Sequence, residues 1–556
     1  MVSNGEDGGV PRYVRRQGAG ALSSPASAIP QWIAPTLHRT AGRDPLALQT
    51  ITQDRIIPVL LPGILALSRR ARYFSFHCFL LGEYRRRRMP ATNAALSKFM
   101  LAREYELALA VELCVRACGS SPVGRDRSRP ATSPIRDAYD RGESVESVLG
   151  GYGLYYRSPL ADLGLVARAG TLLGEDPMPI DVIVSGSKGP ALAEEFRSAV
   201  SQTEYFRKHF TGLGPIPHDV LVEYGSVACL CRLDDFVGER DLIREALFVP
   251  RAEGMEADAL QRRRSFALLL GASSRNPACA TDPAAFRERV WEDFLDRDGL
   301  GEARSRVTSQ WTALILKEYM QDSLSAMWID LCRTGLKSQP DDGFRPESLT
   351  DLLRTSLASE RSLEVAGEAI AVGPNTPMTE LHERFAATTS GMSLEELRKW
   401  AREQESVVAG VLFLMTVCER LPPRALFSES DRAFLDVGVQ RSMRQYGLLQ
   451  TAHALEMHMS EAPTLADTVE WAVRRLLIDV HERVAYSKLP NFTFRFRWES
   501  GRLRFYDLGV WPFDLADMRH GSMSQLSLDL GYWEKAPSGG GLLTADGESF
   551  VTEAFG

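Results

Sequence analysis

Four cysteines are the first residues whose type and spacing match a known chemistry. Cys114 and Cys118 stand four apart, and Cys229 and Cys231 stand two apart. Four thiolates can hold zinc. The run Cys114-Val115-Arg116-Ala117-Cys118 lacks the tight knuckle usual for such ligands, however, and Val115 with Leu113 continues a helical apolar face. The expectation is therefore buried free thiols, with no metal and no other cofactor.

Other candidate chemistry is thinner. Residues 180–184 and then Gly186-Ser187-Lys188-Gly189 have the order of a strand leading into a phosphate loop. The loop is too short to turn several amides inward, and Pro190 follows it, so a plain strand-to-helix connection is expected. His453 and His458 are five apart, which does not put both imidazoles on one helical face. His382-Glu383 and His481-Glu482 lack a second histidine at ligand spacing. Neither a Gly-x-Ser-x-Gly elbow nor a dinucleotide fingerprint is present. A nuclease-type carboxylate cluster assembled only in three dimensions stays open as the enzymatic alternative.

Arginines are the remaining candidates, and their chemistry is contact with phosphate. Arg69, Arg70 and Arg72 run into Tyr73, Phe74, Phe76 and Phe79; a helix would place Phe76 and Phe79 beside Arg72 in one amphipathic element. Arg85, Arg86, Arg87 and Arg88 follow, either as a solvated helix end that suits the negative dipole terminus or as a phosphate contact. Arg125, Arg127 and Arg129 alternate in a Ser/Pro/Arg-rich stretch, 118–139, expected to be an exposed and mobile loop.

The chain that must position these groups has 556 residues, 44% hydrophobic and 25% charged, which implies two to four globular domains and argues against wholesale disorder. Eight scattered cysteines fit reduced thiols in the cytoplasm better than a secreted disulfide scaffold. The longest apolar run, 56–67, contains Pro58, Pro62 and Gly63 and is too short to span a bilayer, so no membrane partner is expected. The net charge of −7 conceals an asymmetry. Residues 1–136 carry 20 Lys and Arg against 9 Asp and Glu, and the remainder 45 against 63. Opposite lobes of this size point to a polyanionic partner or to mutual docking.

Periodicity predicts a mainly α multidomain protein with small α+β parts: a leader over 1–43, a basic α+β domain over 44–212, a central helical domain over 213–338, a linker and irregular region over 339–375, a second helical domain over 376–490 and a C-terminal module over 491–556. Helices should break near Pro58 and Pro62. Ser393 with Glu396 forms a capping box, and Thr464 with Asp467 approximates one.

The C-terminal module is the most informative stretch. Phe492, Phe494, Phe496 and Trp498 alternate with Thr493, Arg495 and Arg497, then Glu499-Ser500-Gly501 turns the chain into Arg502-Leu503-Arg504-Phe505-Tyr506. This is a hairpin with an aromatic face and an arginine face of Arg495, Arg497, Arg502 and Arg504. Like charges side by side need an anionic partner, either a neighbouring acidic element or phosphate. A helix over 517–530 follows, then Gly531, a strand at Tyr532-Trp533, a tip at Ser538-Gly539-Gly540-Gly541, a strand at Leu542-Leu543-Thr544, and Asp546-Gly547.

That order resembles the second half of a winged-helix domain. In that family the helix before the hinge commonly lies in the major groove and the wing lies over the backbone. By that resemblance Arg519, His520, Ser522, Ser524 and Gln525 would face DNA, although Asp514, Asp517 and Asp529 oppose it. Asp162-Leu163-Gly164-Leu165 with the strand and helix after it is similar to a weaker copy of the same order. In layout the whole chain is similar to uncharacterised bacterial proteins carried in multi-gene antiviral operons. The expectation that follows is a non-enzymatic adaptor or subunit, associated with nucleic acid and with other protein subunits. A nuclease or a helical protein-interaction scaffold is the alternative.

Overall fold

The structure, a computed structural model, describes residues 44–172, 177–250, 254–296, 299–359, 362–421, 447–489, 493–506, 518–537 and 539–556. The expected leader, together with Phe492, Asp514 and Asp517, lies outside them. The fold is mainly helical, as expected, and its strands occur in five two-stranded antiparallel sheets among the described residues, the first three pairing β1 (Ala138–Tyr139) with β4 (Ile216–Pro217), β2 (Val166–Ala167) with β3 (Val182–Ile183) and β5 (Ser362–Val365) with β6 (Glu368–Ala371). No helix among these residues is long and apolar enough to cross a membrane.

The chain is helical from Leu48 to Leu60, a π-turn over Thr52–Ile56 joining the α-turns Leu48–Ile51 and Ile57–Leu60, so the break expected near Pro58 does not occur and the helix stops only before Pro62. Helix α1 (Arg72–Arg86) then packs along α3 (Gly189–Val200), and α2 (Asn93–Glu112) against α4 (His218–Ala228). The last approach is close because residue 225 is glycine: a Cβ there would lie 2.5 Å from the Ala110 carbonyl oxygen. The expectation of an amphipathic α1 does not hold. Every residue from Ala71 to Leu81 is buried, because α3, α2 and the helical segments Tyr152–Tyr156, Leu230–Asp235 and Val237–Phe248 pack around the helix.

Helices α5 (Val237–Phe248), α6 (Glu256–Arg275) and α7 (Pro283–Leu295) lead to α8 (Glu302–Ser338), whose middle is buried all round. Such a helix must be covered from several directions. Helix α7, α9 (Leu394–Gln404) and α10 (Val407–Glu419) supply that cover. Several polar groups inside it are matched: Lys317 Nζ reaches the Leu48 carbonyl and Thr52 Oγ1, each at 2.6 Å, and Arg398 Nε reaches Asp322 at 2.5 Å, whereas the hydroxyls of Thr308 and Thr312 are buried with no hydrogen-bond partner among the described residues. Both capping boxes form, at Ser393–Glu396 and at Thr464–Asp467.

Two stretches expected to be irregular are ordered. In 339–375, Pro346–Ser359 is a helix because Leu349, Leu353 and Leu357 share a face, and Ser362–Val365 pairs with Glu368–Ala371 across a turn whose Ala366 and Gly367 both have positive φ. In 118–139, Arg125–Thr132 is a helix lying on α2, tied by Arg125 to Glu112 at 3.2 Å. The C-terminal hairpin, β7 (Phe496–Glu499) and β8 (Arg502–Phe505), lies against α8, with Phe496 on Trp328 and Phe505 over Gly335. Of the elements after it, α12 (His520–Asp529), β10 (Gly541–Leu543) and α13 (Ala545–Phe555) pack on α6 instead, and β9 (Trp533–Lys535) pairs with β10.

Candidate functional site

Most of the arginines singled out in the sequence serve the fold. Arg72 is wholly buried: its guanidinium meets Glu239 at 3.1 Å and donates to the carbonyls of Val227 and Cys229 at 2.6 and 2.8 Å. It is thus removed from any phosphate, because a desolvated cation is held only by a fixed anion and acceptors. Arg70 pairs with Asp529 at 3.0 Å and donates to the Leu230 carbonyl at 3.1 Å. Arg69 stays exposed, donating to the Ala66 carbonyl.

The hairpin face follows the same pattern. Arg497 stands opposite Arg504, and Arg502 opposite Glu499. Glu499, expected in the turn, is the last residue of β7 and sits among the cations. It accepts from Arg497 Nε at 2.6 Å, from Arg504 Nη1 at 3.4 Å and from the Tyr506 hydroxyl. Arg502 pairs with Asp342 at 2.7 Å. Arg495, expected on the exposed face, is buried.

The helix–glycine–strand–tip–strand–helix order is present, with Gly531 at φ 74° after α12 and a β9–β10 hairpin. The helix that a winged-helix domain would lay on DNA is internal. Ser522 donates to the Leu65 carbonyl at 2.8 Å, Ser524 to the Ala280 carbonyl, and His520 Nε2 lies 2.7 Å from the Cys279 carbonyl. Arg519 is buried as well, and Gln525 donates to Asp529 at 2.8 Å.

The end of α1 is different. Arg85, Arg86, Arg87 and Arg88 are all exposed. Arg86 pairs with Glu194 at 3.0 Å, and Arg87 with Glu83 at 3.0 Å, its guanidinium lying over the rings of Phe206 and Phe210. Exposed Arg207 and Lys208 lie in sequence between the two rings on which Arg87 stacks. Arg85 and Arg88 have no carboxylate partner among the described residues.

The cysteines depart from expectation. Helix α2 ends at Glu112, so Val115 is exposed instead of extending an apolar face. A turn closes from the Ala117 amide to the Cys114 carbonyl at 2.9 Å, with Ala117 at φ 45°. The sulfurs of Cys114, Cys118, Cys229 and Cys231 all lie within 4.8 Å of one another. Burial opposes ionisation of Cys118, but its hydrogen bonds with Ser120 and with the sulfurs of Cys231 and Cys229 together outweigh that and bring the thiol down to about 7. Burial pushes Cys231 up to about 11. Among the described residues this is the group of His, Cys, Asp or Glu donors close enough to share an ion, and it contains no carboxylate.

One open cavity, of about 380 Å³, is lined by Glu395, Arg398, Lys399 and Arg402 beside α7. Arg398 there is held by Asp322 and Glu395. No protein-family model, curated protein or solved structure matches this chain.

Proposed function

We propose that this chain is a nucleic-acid-associated adaptor, acting without catalysis of its own as one subunit of a larger assembly. It holds a phosphate backbone at the arginine-rich end of α1. The observation that carries the reading is the contrast just described: most of the other arginines singled out have internal carboxylate or carbonyl partners, whereas Arg85 and Arg88 stand exposed without one among the described residues. Arg86 and Arg87, fixed by Glu194, Glu83 and two aromatic rings, give the run a rigid base. A preorganised row of guanidinium groups suits phosphate, which accepts paired donors and releases counterions when neutralised. A cytoplasmic place in a bacterial antiviral complex would follow from the resemblance in layout.

The test is binding of the full chain to duplex and single-stranded DNA and RNA over a range of salt. The Arg85→Ala/Arg88→Ala variant should bind more weakly across all sequences, with a log–log salt slope smaller by about 2. Binding that is absent at low salt, or a slope unchanged in the variant, refutes the proposal.

A further inference from the structure

The four gathered cysteines have a geometry of their own. Cys114 and Cys231 approach to 3.7 Å between sulfurs, Cys118 and Cys229 to 3.7 Å, and Cys229 and Cys231 to 3.5 Å. Zinc–sulfur bonds of about 2.3 Å in a tetrahedron put the sulfurs about 3.8 Å apart, close to these separations. A disulfide needs about 2.05 Å, and no pair is that near.

The backbone is shaped to hold them there. One pair sits on the turn that ends α2 and the other follows α4 directly, where the Arg232 amide bonds the Cys229 carbonyl at 2.9 Å. Gly225 allows α2 and α4 to come close enough for the two pairs to meet. Leu230 and Leu233 are buried and anchor the second pair. Arg116 and Asp235, one from each segment, bridge at 2.7 Å beside the cluster.

Positive charge also lies around the cluster. Four thiolates around a divalent ion carry a net charge of −2. Four arginines border this cluster: Arg116 lies between two of the cysteines in sequence, Arg232 follows Cys231, Arg72 donates to the Cys229 carbonyl and Arg70 to the Leu230 carbonyl. The Arg232 Nε is buried without a hydrogen-bond partner among the described residues. Each of these arginines also holds a carboxylate, Glu239, Asp529 or Asp235, so the cluster has a positive border that it shares with those groups.

We propose that Cys114, Cys118, Cys229 and Cys231 bind one Zn²⁺ as a closed tetrathiolate site that staples the end of α2 to the end of α4. The site has no fourth position open to water or substrate, so its role is structural. It ties positions 117 and 111 residues apart in sequence, a connection that limits the unfolded chain far more than a local contact would. Cys118 and Cys231 are half-buried and give the ion its way in. The inference is independent of nucleic-acid binding.

Metal analysis of the purified full chain should find one zinc per chain. Alkylating thiols in the folded wild type should release it, a measurement that needs no variant. Replacement of zinc by Co²⁺ should produce the charge-transfer and visible bands of a four-sulfur site. Cys118→Ser should lose those bands while keeping its helical circular dichroism, and Cys418→Ser, remote from the site, should keep both. A wild-type chain without zinc, iron in its place, a disulfide detected by mass, or a Co²⁺ spectrum untouched by Cys118→Ser would each overturn the assignment.

Discussion

His481 accepts the backbone amide of Arg495 on its Nε2, at 2.9 Å, while its Nδ1 lies 3.0 Å from the Pro45 carbonyl. The ring, in the helix Asp479–Ser487 (α11), thereby fixes the entry to the β7–β8 hairpin and ties it to the first described residues. Both nitrogens are engaged only if the imidazole is neutral, with its proton on Nδ1. Burial accordingly pushes His481 down to about 4. A depressed histidine adds stability that is complete above its unfolded value, near 6.5, and is lost as pH falls toward 4. Between pH 7 and 5 this group should account for about 2 kcal/mol of lost stability. Denaturant titrations at both pH values should show a loss smaller by that amount in His481→Gln; an equal loss in variant and wild type would exclude the account.

Arg72 and Glu239 make a second prediction. Removing the cation leaves a buried carboxylate, and two carbonyls lose their donors. Arg72→Met should therefore lower unfolding free energy by about 3–5 kcal/mol. Nucleic-acid binding by the folded fraction should not change. A mild effect on stability together with lost binding would instead return Arg72 to the phosphate-contacting set.

The hairpin arginines carry the third. Arg497 and Arg502 are partly exposed and each has a carboxylate partner. Arg497→Ala/Arg502→Ala should lower stability by up to about 1 kcal/mol per pair and leave the salt slope of binding unchanged. Thermal melting and a salt titration on the same preparation check both halves. A reduced slope would restore the hairpin as a phosphate surface.

Local features were legible because their physics is local. The hydroxyl of Ser393 and the carboxylate of Glu396 are three residues apart, so the capping box reads directly from sequence. The alternation from Phe494 to Trp498 and the glycine at 501 specify a hairpin in the same way. Irregularity was harder to read. Residues 339–375 looked like a linker because Pro340, Asp341, Asp342 and Gly343 dominate their start, yet three leucines spaced by four are sufficient for the helix beyond them.

By itself the sequence determined the helical character of the chain, the helix stop before Pro62, its caps and the presence of the C-terminal hairpin. Tertiary structure alone decided which charged and sulfur groups meet. Arg72 finds Glu239 167 residues away, and Cys114 finds Cys231 117 residues away. Spacing rules along one helix or strand carry no information about such encounters. They depend on how helices pack, as where Gly225 lets α4 approach α2, and the free energy of a cation or thiolate is set by the groups that then surround it.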